Sequence, residues 1–236
     1  MPYYLYGYDP TYFIVLLATI IVSAYAQHHV NSTFKKYSQI GNAKGFNGAS
    51  AAQQIARFGG AEGVGVQHIS GDLTDNFDPR TNIISLSDSV YNNTSIAAIG
   101  VAAHEAGHAI QHATGYVPNK IRSVLVPVTH IGTRIAFPLI LIGALMVNQT
   151  STVLLIGVAL YALTFVFQVA TLPVEFNASR RAIKVLDESG MLYPDELDGA
   201  QKVLKAAAMT YLAAAFTSLL WLLRIVWMLF GRRGNN

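Results

Sequence analysis

Residues 135–171 contain no Asp, Glu, Lys, Arg or His. A lipid bilayer core is about 30 Å thick, and a helix needs about 20 apolar residues to cross it. The run is too long for one pass, and Asn148, Gln149 and Thr150 interrupt it. In hydrocarbon every backbone N–H and C=O must find a partner within the protein, and an unbroken apolar run without the alternation of a barrel strand reads as helical. The spacing predicts a helical hairpin with spans near 124–147 and 151–171. Two further apolar runs flank it, at residues 12–26 and 206–230, the second carrying only Arg224, which can snorkel to the interface. Charged residues make up 12% of the chain, against about 25% in an ordinary soluble domain. The composition therefore predicts a mostly α, multi-pass membrane protein with three or four transmembrane helices.

The remaining sequence divides around these runs. Residues 1–26 read as an N-terminal anchor. No Lys or Arg precedes the apolar run, so it lacks the positive region of a signal peptide. Tyr3, Tyr4, Tyr6, Tyr8 and Tyr12 fit an interfacial aromatic belt. Residues 27–122 are polar, residues 123–171 form the transmembrane hairpin, and residues 172–205 are again polar. Residues 206–236 form a C-terminal transmembrane helix. Within the first polar part, residues 49–58 and 95–113 read as helices, and residues 64–69 and 82–86 as short strands. The stretch GDLTDNFDPR between the strands reads as a loop. This part is expected to be a small α+β body. Pro173 is expected to end the second hairpin span, and Pro194 to start a helix, its fixed φ suiting a first turn. Lys35, Lys36 and Lys44 follow the first span, which places the polar parts on the cytoplasmic side of the cell membrane. Arg232 and Arg233 oppose that assignment if the last helix crosses fully.

Two function classes drop out early. A net charge of +3, with no long basic block and no aromatic–basic interleaving, gives no footprint for nucleic acid. The absence of cysteine excludes disulfides, thiolate catalysis and Cys-bound zinc. Any metal must be held by His, Asp or Glu.

One motif supplies that chemistry. Residues 104–108 read His-Glu-Ala-Gly-His. On a helix, positions i and i+4 stand one above the other on the same face, so two imidazoles can share one Zn²⁺. Glu105 beside them is placed to take a proton from a water that the ion acidifies. A third ligand is needed, with the fourth position left for water. His68, His112, His130, Asp72, Asp75, Asp78 and Glu175 are the candidates. Glu175 is the best placed, because two crossings return it to the side of the histidine pair. His112 would have to bend round from the same helix.

The motif AAHEAGHAIQHA, the later LPVEFNASRRA and KVLKAAAMTYLAAA, and the stretch at residues 72–87 together resemble the YugP-type family of bacterial membrane zinc metallopeptidases. They are similar in pattern to the HtpX and CAAX-protease group, in which a Glu from a later helix is the third ligand. The resemblance implies Glu175 in that role, a zincin-like form for the small α+β part, bacterial origin and Zn²⁺ as cofactor. The chain departs from the pattern at Ser179, where HtpX-like chains show Asp, and at Asn177, where YugP-like chains tend to show Asp. A residue orienting a ligand histidine is then expected from elsewhere, with Asp72, Asp75 and Asp78 as candidates beside their ordinary use as turn formers. His112, Arg180, Arg181 and Tyr211 are candidates for stabilising the developing oxyanion. Residues Asn82, Ile83, Ile84, Ser85 and Leu86 are read as an edge strand able to bind an extended peptide by strand addition.

The expected activity is peptide-bond hydrolysis in proteins at the cytoplasmic membrane face, extending to membrane-protein quality control. Expected partners are a protein or peptide substrate, the bilayer, and a regulatory membrane partner. The main rival is a non-proteolytic scaffold whose zinc is structural and closed by a fourth protein ligand such as His112. Intramembrane proteolysis of the site-2 type ranks behind both, because no later span carries an Asp.

Overall fold

The computed structural model describes residues 10–145 and 152–230. Six helices and three strands follow in the order α1 (Pro10–Ser38), α2 (Gly48–Phe58), β1 (Gly65–His68), β2 (Asn76–Asp78), β3 (Ile83–Leu86), α3 (Ile96–Ala113), α4 (Val117–Leu145), α5 (Thr152–Glu188) and α6 (Pro194–Phe230). Tyr3, Tyr4, Tyr6, Tyr8, the Asn148–Thr150 break and Arg232 and Arg233 lie outside the described residues.

The chain divides into two compact units. One takes in Met1–Tyr25, Ile121–Leu172 and Tyr211–Asn236, and the other Ala26–Lys120 and Pro173–Thr210. The first unit is the apolar one. Helices α1, α5 and α6 are each long and apolar enough to cross a membrane, and α4 makes a fourth if its bent halves form one span. The α4 axis turns by 48° between Val117–Pro127 and Ile131–Gly143. Pro127 explains the bend, because it removes a backbone donor and its ring crowds the preceding turn. Helices α4 and α5 approach closely through glycine. A Cβ on Gly143 would stand 2.6 Å from the Leu154 backbone, and one on Gly157 would stand 2.8 Å from Ile140 N. Small residues serve this purpose where lipid gives helices no hydrophobic drive to associate. Phe13, Ile14, Leu17, Ile20 and Ile21 on α1 are exposed, as lipid-facing side chains are. Arg224 stacks over the rings of Tyr12 and Trp221, at 5.0 and 5.8 Å from their centroids.

The second unit has a core of its own. Helix α2 starts at a capping box in which Asn47 and Ser50 satisfy each other's backbone N–H groups. Its Ala51, Ala52, Ile55 and Ala56 are buried against α3. Gly59 ends it at a point where a Cβ would collide with the Ile110 side chain at 2.1 Å. The three-stranded sheet has the order β1-β3-β2, with β1 parallel and β2 antiparallel to β3. Helix α3 begins at Ser95, whose Oγ accepts from Ala98 N. Along α3 the run Ala97, Ala98, Ala102, Ala103, Ala106 and Ala109 is buried, which lets neighbouring elements approach its backbone.

Three expectations are corrected. Residues 82–86 are not an edge strand. β3 is the central strand, with Ile84 paired to both Val66 and Phe77 and fully buried, so its backbone has no free side for a peptide. Part of the presumed loop is β2, where Asn76–Asp78 completes the sheet. Pro173 does not end a helix. It lies inside α5, which runs unbroken to Glu188. Pro194 does start a helix, as expected, and α6 continues from it through the last apolar run.

Candidate metal centre

The site lies within the second unit and is built from α3 and the Pro173–Glu188 part of α5. Helix α3 presents His104 and His108 one turn apart, with ring centroids 4.7 Å apart and nearly perpendicular. Opposite them, α5 contributes Glu175, which is 1% exposed. Its Oε2 lies 3.1 Å from His104 Nε2 and 3.5 Å from His108 Nε2. Gly107 permits this approach. A Cβ there would stand 2.4 Å from the Ala178 carbonyl oxygen, so only glycine lets the two backbones meet at that level.

These three side chains are the one group of His and acidic residues, among the described residues, whose ligand atoms all lie within 4.8 Å of one another. A tetrahedral zinc site, with bonds near 2.0–2.1 Å, sets its ligand atoms about 3.4 Å apart. The observed 3.1 and 3.5 Å separations bracket that edge length, so two imidazole nitrogens and one carboxylate oxygen fit the ion. An all-N/O donor set of this kind suits zinc. Burial by itself pushes the Glu175 carboxyl up. Hydrogen bonds and charge from His104 and His108 outweigh it and hold the group well below the usual carboxylate range. Glu105, next to His104 on α3, is 8% exposed.

Each histidine has a partner on its other ring nitrogen. His104 Nδ1 lies 3.1 Å from Ser179 Oγ, and His108 Nδ1 lies 3.1 Å from Gln111 Oε1. Gln111 is fully buried, and its Nε2 donates to the Val174 carbonyl at 2.7 Å and to Asn177 Oδ1 at 3.0 Å. Arg181 Nε donates to the same Asn177 oxygen at 2.8 Å, and its guanidinium lies over the Tyr116 ring. Gln111 was missed in the sequence. Its signal was available, since i+3 from His108 places it on the ligand face of the helix.

The other candidates sit elsewhere. His112 is exposed, its ring tilted against Phe77 at 5.8 Å. His68 pairs with Asp88 at 2.6 Å. Asp75 accepts from the backbone and hydroxyl of Ser87, tying its loop to the end of β3, and Asp78 accepts from the Arg80 backbone and side chain, a local turn-forming role. The Arg80 side chain and backbone N–H keep the Asp78 carboxyl below its ordinary range. Asp72 is exposed. Arg180 lines a groove of about 460 Å³ with Arg181, Lys184 and Asn177. Tyr211 belongs to the first unit, and nothing is described of the His130 side chain.

A family profile described as "Putative neutral zinc metallopeptidase" matches residues 12–230. The chain is 39% identical over 225 residues to a Bacillus subtilis (strain 168) protein named "Putative membrane protease YugP", covering 95% of this chain and 99% of that one. No solved structure matches the chain.

Proposed function

Because the chain belongs to the family described as "Putative neutral zinc metallopeptidase", we propose that it is a membrane-bound zinc endopeptidase in which His104, His108 and Glu175 hold the ion. The observation that carries this reading is the buried Glu175 carboxylate facing both Nε2 atoms at 3.1 and 3.5 Å. A carboxylate that deep needs a cationic partner, and the geometry suits a metal.

When bound, zinc supplies Lewis acidity, which activates a water and polarises the scissile carbonyl. Glu105 acts as general base, taking a proton from the attacking water and delivering it to the departing amine. Its place on α3, directly after the first ligand, keeps it beside the reacting atoms without using it as a ligand. Ser179 and Gln111 hold the two imidazoles in place.

The rival, a scaffold with structural zinc, calls for four protein ligands. Among the described residues the group has three, and His112 is turned to Phe77, which favours an open catalytic site. The substrates are proteins or peptides at the cytoplasmic face of the cell membrane, including damaged membrane proteins. Lys35 and Lys36 in the last turn of α1 support that side. The test purifies wild type, Glu105→Gln and Glu175→Ala in detergent and measures bound zinc and cleavage of an unfolded protein. A peptidase gives a Glu105→Gln variant that keeps zinc and cleaves nothing. One zinc per chain in a wild type that cleaves nothing would favour the scaffold.

A further inference from the structure

We propose that Gln111 is a positioning residue that locks His108 in the one tautomer able to bind metal through Nε2, and that Val174, Asn177 and Arg181 fix its orientation. The inference rests on the metal reading above and adds a residue outside the five-residue His-Glu-Ala-Gly-His stretch.

The two ends of a glutamine amide have the same shape, so its orientation has to be read from its partners. Two partners of Gln111 have no choice of role. The Val174 carbonyl oxygen, 2.7 Å away, can only accept, so the atom facing it is the NH₂ nitrogen. Asn177 gives the same answer by a separate route. Arg181 Nε can only donate, so the Asn177 atom it meets at 2.8 Å is oxygen. That oxygen faces Gln111 at 3.0 Å, and again the Gln111 atom must be the NH₂.

With the nitrogen assigned twice over, the remaining end of Gln111 is its oxygen, 3.1 Å from His108 Nδ1. An amide oxygen can only accept, so His108 Nδ1 carries the hydrogen. Once Nε2 gives up any proton it shares with the Glu175 carboxylate, the neutral imidazole keeps its hydrogen on Nδ1 and has its lone pair on Nε2, the atom on the metal side. Turning the amide over would set oxygen against the Val174 carbonyl in a fully buried place, with no water to relieve it. His104 has no such lock. Its Nδ1 partner, Ser179 Oγ, rotates to donate or to accept. The pair is therefore held asymmetrically, by a neutral amide on one ligand and a hydroxyl on the other, and neither brings the negative charge of an aspartate.

The test uses the full-length protein in detergent with two readouts. The first is zinc affinity by chelator competition. The second is the ¹⁵N spectrum of the histidine rings in metal-free protein, with His108→Gln to assign the signals. Thermal unfolding of the metal-free variants reports folding separately. The expected results are a hydrogen on His108 Nδ1 in wild type, its loss in Gln111→Leu, and zinc binding weaker by about 10- to 100-fold in that variant. Asn177→Asp keeps an oxygen that accepts from Gln111 and Arg181 and stays within about 3-fold of wild type, whereas Asn177→Leu falls further. Wild-type zinc affinity in Gln111→Leu would overturn the proposal, as would an Nδ1 without hydrogen in wild type. So would an Asn177→Asp as weak as Asn177→Leu, since the site would then be responding to any change there. If wild type binds no zinc, the metal reading fails, and the ring spectrum, read at a pH where the ring is neutral, still shows which nitrogen of His108 carries the hydrogen.

Discussion

Gly107 and Ala178 meet backbone to backbone, so close that a Cβ on Gly107 would stand 2.4 Å from the Ala178 carbonyl oxygen. Ala178 lies three positions after Glu175 on α5, and Gly107 lies between the two histidines on α3. The contact therefore sets the distance from which the carboxylate faces the imidazoles.

Gly107→Ala should push the two helices apart. Overpacking of this kind costs about 1–3 kcal/mol. Zinc affinity should fall by about tenfold or more, since about 1.4 kcal/mol of lost ligand geometry is a factor of ten. Thermal unfolding and chelator competition check both effects. An alanine variant with wild-type stability and affinity would show that the helices can move apart without consequence.

Glu105 and Glu175 should separate in a way that only a base and a ligand would. Glu105→Gln should keep its zinc and lose about 10²–10⁴ in cleavage rate, the usual contribution of a positioned base. Glu175→Ala should lose the metal itself and leave the two histidines without their carboxylate partner. Zinc content and peptide cleavage on the same preparations distinguish the two.

Ile84→Pro should unfold the second unit rather than impair substrate binding alone. Ile84 is fully buried and paired on both sides, so proline removes core packing and a ladder hydrogen bond together. The combined loss is about 3 kcal/mol. Circular dichroism melting would detect it, and a normal melt would contradict the central position of β3.

Asp88 ties down the turn before β2. Its carboxylate accepts from Gly71 N at 2.8 Å and pairs with His68 at 2.6 Å. The Gly71 N–H, and then His68, hold its carboxyl below the ordinary range. A carboxyl whose folded value is lowered stabilises the fold above its unfolded value, and that contribution is lost as pH falls through the folded one. Hydrogen-exchange protection at Gly71 should thus hold from neutral pH into mild acid and drop only below the ordinary carboxylate range. Asp88→Asn should show lower protection and no such step.

The sequence displayed the parts of this protein that depend on local periodicity. His104 and His108 are legible because one helical turn fixes their relation. Glu175 was reachable because two crossings must return the chain to its starting side. Helix ends were harder. The change from apolar to polar residues at Pro173 marks a change of surroundings, and the α5 backbone continues through it with the loss of one hydrogen bond. The central position of β3 depends on β2, three residues whose pairing is not written in their own composition. Gln111 escaped notice because an amide orienting a ligand declares itself only through partners on another helix, here Val174 and Asn177.

The site's ligands are divided along the chain by residues 121–172, which belong to the other unit. A ribosome that has finished His108 must add 67 more residues (175 − 108) before Glu175 exists. At about 5–20 residues per second that takes roughly 3–13 s. Throughout that interval the nascent chain has Glu105 and the two imidazoles but not the Glu175 carboxylate, and residues 121–172 must be made first. Translation order thus acts as a timer, leaving the candidate metal site incomplete until its membrane segment has been synthesised.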